Sequence, residues 1–200
     1  MPLNLPNLLT WLRILLIPLF LGTFYLPEGW LSPFHKNVTA TLIFALAAVT
    51  DWLDGYLARI LNQTSSFGAF LDPVADKLMV AAALLLLVAL ARVDGVIAFI
   101  IIGREIAISA LREWMAVIGE RKSVAVSFLG KVKTTCQMTA ILLLLFHEKL
   151  GGVIDSQLLG TWLIYIAAAL TLWSMAYYLK LAMPRAIEEV PPGKAENAPE

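Results

Sequence analysis

Cysteine is almost absent: Cys136 is the single one in 200 residues, so no intrachain disulfide can form. It lies in an apolar run and reads as a small buried hydrophobe. Histidine is nearly as rare, with only His35 and His147, and neither is assigned a role. Charge is scarce too. The chain is 15% charged against 60% hydrophobic, with a mean hydropathy of +0.78. A soluble domain of this length could not cover so much apolar surface. No basic stripe with interleaved aromatics occurs, so nucleic acid is not an expected partner. Pro2 to Asn7 carries no positive charge and no cleavage site follows, so no cleaved signal peptide is expected. No internal repeat is visible.

What the chain has instead is apolar runs approaching the roughly 20 residues that cross a bilayer. Six spans are expected, over about 7–27, 37–60, 74–92, 95–118, 130–147 and 158–182. The fold class is therefore an all-α integral membrane protein with a bundle of six transmembrane helices. Residues 27–33, 62–70, 92–95, 119–127 and 148–157 read as the connections. From Met183 the chain turns rich in Pro, Glu and Ala, which predicts a helix end and a disordered tail. The division is thus a membrane domain over 1–183 and a polar cytoplasmic tail over 184–200.

The few cations set the orientation. Lys36, Arg92 and Lys149 fall in the first, third and fifth connections. Arg59, Lys77, Arg121, Lys122, Lys131, Lys133, Lys180, Arg185 and Lys194 fall near the second, the fourth and the C-terminal end. Short loops rich in Lys and Arg stay cytoplasmic. Both termini should be inside, with the aspartate-bearing segment at the cytoplasmic face and His35 and His147 near the opposite one.

Against this background four aspartates stand out: Asp51, Asp54, Asp72 and Asp76. Charges near a bilayer core are expensive and usually functional. Residues three, four and seven apart on a helix share a face, so Asp51, Asp54, Gly55 and Ala58 form one stripe. It offers two carboxylates beside two of the smallest residues, leaving room for a flat group near the backbone. Arg59 follows about 80° round the helix, near enough to reach over the stripe. Asp72 and Asp76, four apart, open the third span. Four carboxylates are balanced by two divalent cations. Hard cations such as magnesium prefer oxygen ligands, often completed by substrate phosphates, and two of them can clamp an in-line displacement at phosphorus. No His or Cys stands near, which argues against zinc.

Plainer readings exist for each part. Asp72 before Pro73 makes a good helix N-cap. Asp76 could pair with Lys77 or Arg59. Gly55 and Ala58 could be a close helix contact. Together they do not account for so many charges in one apolar stretch.

The segment from Asp51 to Asp76 resembles the CDP-alcohol phosphotransferase family. Its signature, D-x2-D-G-x2-A-R-x8-G-x3-D-x3-D, is met by Asp51, Asp54, Gly55, Ala58, Arg59, Gly68, Asp72 and Asp76 without departure. Residues 4–13, 103–106, 110–114 and 130–135 are similar to the bacterial phosphatidylglycerophosphate synthases of that family, and the likeness runs from about 4 to 182. The resemblance implies a six-helix membrane bundle, usually a homodimer. It implies transfer of a phosphatidyl group from CDP-diacylglycerol to glycerol 3-phosphate with release of CMP. It also implies two divalent cations, Mg2+ or Mn2+, one on Asp51, Asp54 and Asp72 and the other on Asp51, Asp72 and Asp76. Asp76 would take the proton of the attacking hydroxyl. Gly55 and Ala58 would make space for the cytidine, Arg59 would hold the pyrophosphate, and Asn7 and Thr10 would help at the nucleotide end.

The acceptor has to be argued from other residues. Glycerol 3-phosphate is a dianion, and Arg104, Arg112, Lys131 and Lys133 are the available cations. Arg112 is expected first, then Lys131 and Lys133, then Arg104, because guanidinium grips phosphate bidentately. Lys131 and Lys133 point to nearly opposite sides if helical, and Arg104 could instead pair with Glu105 or Asp51. Another acceptor, such as phosphatidylglycerol, serine or an inositol compound, would make the chain a sibling enzyme. An ion-coupled transporter would place its acids near the midplane and show repeated or broken helices. Neither feature is present in the sequence.

Overall fold

A computed structural model describes residues 5–60, 66–117 and 128–188. Six helices follow in order: α1 (Leu5–Tyr25), α2 (Pro33–Ile60), α3 (Ser66–Ala89), α4 (Gly95–Val117), α5 (Phe128–Phe146) and α6 (Ser156–Glu188). Between α5 and α6 a small antiparallel hairpin pairs β1 (Lys149–Leu150) with β2 (Ile154–Asp155). Gly151 and Gly152 turn it at φ of +59° and +77°, where a Cβ would be strained.

The helix starts follow from local chemistry. Ser32 precedes Pro33 and accepts a bond from the His35 amide, the arrangement of an N-cap followed by proline at the first helical position. Asp94 caps α4 through the Val96 amide at 2.7 Å, and Asp155 caps α6 through Gln157 at 2.9 Å and Leu158 at 3.1 Å. Cations close the helix ends beside these caps. Lys36 Nζ donates to the Leu26 carbonyl at 2.6 Å. Arg92 donates to the carbonyls of Leu144 and Leu145, both at 3.1 Å, and to Asn37 Oδ1 at 2.8 Å. One end of the bundle is thus sealed by ordinary capping, in keeping with the dipole preference for cations at helix C-termini.

The core is fully buried Phe20, Phe44, Leu84, Leu87, Ile101, Ile141, Leu144 and Ile164. Phe20 and Phe44 tilt against each other with ring centroids 6.3 Å apart, joining α1 to α2. The outside is apolar as well: Leu15, Leu42, Phe99 and Trp173 are all at least 64% exposed. Two segments among the described residues, Leu8–Tyr25 and Ser156–Tyr177, are long and apolar enough to cross a membrane. A shorter apolar stretch covers Val132–Phe146. The four aspartates stand on α2 and α3.

Three boundaries differ from expectation. Helix α3 begins at Ser66, inside a stretch that reads as a connection. Its polar residues and Gly68 resemble a loop in one dimension, yet Gly68 is buried in a helical turn. Asp72 therefore does not cap a helix start, and Pro73 lies inside the helix. Helix α2 starts four residues before the expected 37, at the Ser32–Pro33 cap. Helix α6 runs past Met183 to Glu188; the tail from 189 lies outside the described residues.

Candidate active site

The first three helices meet around Arg13. It is the only charged residue of α1 and is 1% exposed. Its Nη1 stands 2.8 Å from Asp51 Oδ1, and its Nη2 pairs with Asp54 Oδ2. The three-residue spacing puts both carboxylates on the face of α2 that meets α1. Thr10, one turn before Arg13, donates its hydroxyl to Asp72 Oδ1 of α3. One stripe of α1 thus clasps three of the four aspartates. Asp54 lies within electrostatic reach of Asp51 and Asp72, and Asp76 within reach of Asp51 and Glu105. Among the described residues Asp76 is in no ion pair, so the pairing with Lys77 is not formed; Arg59 lies outside the described side chains.

A second charged cluster joins α4, α5 and α6. Lys133 pairs with Glu105 Oε1, and Arg104 Nη1 reaches the same oxygen at 3.2 Å. Arg104 Nη2 donates to Ser174 Oγ at 3.0 Å, and the Ser174 hydroxyl in turn donates to the Thr171 carbonyl at 2.9 Å. Lys133 and Arg104 are both buried. Two cations thus share one carboxylate.

A cavity of about 530 Å³ lies between the two clusters. Asp51 and Asp76 border it from α2 and α3, and Glu105 borders it from α4. Thr134, Thr135 and Gln137 line it from α5.

Gly55, Ala58 and Arg59 stand in α2, Asn7 in α1, Arg112 in α4 and Lys131 in α5, but their side chains lie outside the described ones. Of the expected acceptor cations, Lys133 and Arg104 come together on one acid. The pairing of Arg104 with Glu105 matches its sequence-based alternative.

Among the described residues no group of three or more His, Cys, Asp or Glu is gathered as a metal site. The donors nevertheless fit a hard divalent cation, because all are carboxylate oxygens. The Arg13 guanidinium stands between Asp51 and Asp54 as a counter-cation, and one guanidinium answers only part of the charge of four carboxylates. Its Nε has no hydrogen-bond partner among the described residues, and its Nη1 meets Asp51 as an ion pair only.

Sequence reasoning gives Arg13 no role in the site and names Glu105 only as a partner for Arg104. The signal for Arg13 was present. A lone charge inside an apolar helix demands a partner, and the acids supply it. Glu105 directly follows Arg104, and adjacency hid its reach to Lys133 on another helix.

A family model described as CDP-alcohol phosphatidyltransferase matches residues 3–173. The chain is 53% identical over 184 residues to proteins named CDP-diacylglycerol–glycerol-3-phosphate 3-phosphatidyltransferase from Escherichia coli (strain K12), Shigella flexneri and Shigella boydii serotype 4. In each case the match covers 91% of this chain and 96% of the relative.

Proposed function

The chain belongs to the CDP-alcohol phosphatidyltransferase family, and on that premise we propose that it transfers the phosphatidyl group of CDP-diacylglycerol to glycerol 3-phosphate. The products are phosphatidylglycerophosphate and CMP. The carrying observation is the extent of the match: the similarity to enzymes named for this reaction spans 91% of the chain. The cavity bordered by Asp51 and Asp76, with Glu105 across it, supports the same reading.

In this reading Asp51, Asp54, Asp72 and Asp76 hold the divalent cations, Mg2+ or Mn2+. When bound, these neutralise the pyrophosphate and ease departure of CMP. Thr10 fixes one oxygen of Asp72, and Arg13 orients Asp51 and Asp54. Gly55 and Ala58 leave space for the cytidine, Arg59 grips the pyrophosphate, and Asn7 and Gly68 complete the nucleotide end. Asp76, which has no ion-pair partner among the described residues, accepts the proton of the attacking hydroxyl. Arg104 and Lys133, steadied by Glu105, hold the acceptor phosphate with Arg112 and Lys131. Such preorganised charge needs little rearrangement during reaction.

All six helices cross the bacterial inner membrane, both termini and the acids lie at the cytoplasmic face, and the protein works as a homodimer. The exposed apolar exterior and the distribution of Lys and Arg support the membrane part. The test is CMP release by purified protein with CDP-diacylglycerol, Mg2+ and one acceptor at a time. Release with glycerol 3-phosphate alone, stopped by chelator and by Asp72→Asn, is expected. Release with another alcohol instead would move the chain to a sibling activity. No release with any acceptor, from folded protein, would sink the reading.

A further inference from the structure

Gln137 is 4% exposed, and among the described residues its Oε1 has no hydrogen-bond partner. It nonetheless lines the cavity that Asp51 and Asp76 border. A buried amide oxygen without a donor is costly, and such exceptions call for a cause. Here the position suggests one. Lys133 precedes Gln137 by four residues, so the two share a face of α5 about 6 Å apart along its axis. A phosphate held by the Lys133–Glu105–Arg104 cluster would therefore place the rest of a short polyol beside Gln137.

The inference rests on the acceptor being glycerol 3-phosphate. That molecule carries two hydroxyls. The primary one attacks phosphorus and gives up its proton. The secondary one does not react and remains a hydrogen-bond donor throughout. We propose that Gln137 determines acceptor specificity by accepting a hydrogen bond from this non-reacting secondary hydroxyl. A site that leaves its own acceptor unpaired when the hydroxyl is missing rejects the deoxy analogue strongly. An aliphatic pocket of the same shape would not.

The experiment compares glycerol 3-phosphate with 3-hydroxypropyl phosphate, which keeps the phosphate and the primary hydroxyl but lacks the secondary one. CMP release gives kcat/KM for each. The wild-type protein should prefer glycerol 3-phosphate by about a hundredfold or more. Gln137→Leu should lower kcat/KM for glycerol 3-phosphate, spare the analogue, and bring the two within a few-fold. Gln137→Glu retains an acceptor oxygen and should retain the preference. Equal use of both acceptors by the wild-type protein would overturn the inference without any variant. An equal loss with both acceptors in Gln137→Leu would also overturn it. Absence of turnover with glycerol 3-phosphate in the wild-type protein would instead overturn the proposed reaction.

Discussion

Arg13 of α1 pairs with Asp54 of α2 where water is excluded: the two side chains are 1% and 5% exposed. Breaking a buried pair from one side leaves the other charge unanswered, at a cost of about 3–5 kcal/mol. Arg13→Ala should therefore lower the thermal midpoint in detergent sharply. Added Mg2+ should recover part of the loss, because the freed carboxylates can then meet a cation. Sodium chloride at equal ionic strength should not. An unchanged midpoint would remove Arg13 from this role.

Asp51 and Asp54 pair with Arg13 and Asp72 accepts from Thr10, whereas Asp76 has no ion-pair partner among the described residues. Asp76→Asn is expected to keep the fold and the binding of CDP-diacylglycerol while losing turnover by a factor of about 10²–10⁴. Single-turnover CMP release and a lipid-binding titration check the two halves separately. Substantial turnover would exclude Asp76 as the proton acceptor.

Lys133 is held by Glu105, together with Arg104. Lys133→Ala, and likewise Arg112→Ala, should raise the KM for glycerol 3-phosphate by about tenfold, the effect of losing one charge-assisted hydrogen bond. The KM for CDP-diacylglycerol should scarcely move. Equal weakening toward both substrates would contradict a separate acceptor pocket.

Gly160 lets α6 approach α5. A Cβ there would lie 2.8 Å from Leu144 Cγ and 3.2 Å from the Ala140 carbonyl oxygen. Gly160→Ala should destabilise the bundle by about 1–3 kcal/mol through overpacking. Gly22→Ala is the control, since among the described residues nothing beyond its own helix lies within 4 Å of its added methyl. Denaturation in detergent should separate the two variants clearly.

The residues show which levels of structure can be read in one dimension. Apolar runs and their breaks located all six helices to within a few residues at most ends. The three-residue spacing puts Asp51 and Asp54 on a common face, where both meet Arg13, because periodicity is a property of a single helix. Partnerships between helices are another matter. That Arg13 meets α2, or that Lys133 of α5 meets Glu105 of α4, depends on which faces the packing brings together. The start of α3 was hidden for a different reason. Ser66, Gly68 and the Asp72–Pro73 pair carry strong turn and cap preferences, and contact with Thr10 of α1 accompanies a helical course through them. Local propensity is a weak prior where tertiary contact decides.

Phosphorus NMR of vesicles containing the purified protein, CDP-diacylglycerol, glycerol 3-phosphate and Mg2+ tests the central claim most directly. CMP should appear in step with a new lipid bearing one phosphodiester and one phosphomonoester, and only when the acceptor and the divalent cation are both present. CMP formed without a lipid phosphomonoester, or formed equally well without glycerol 3-phosphate, would contradict it.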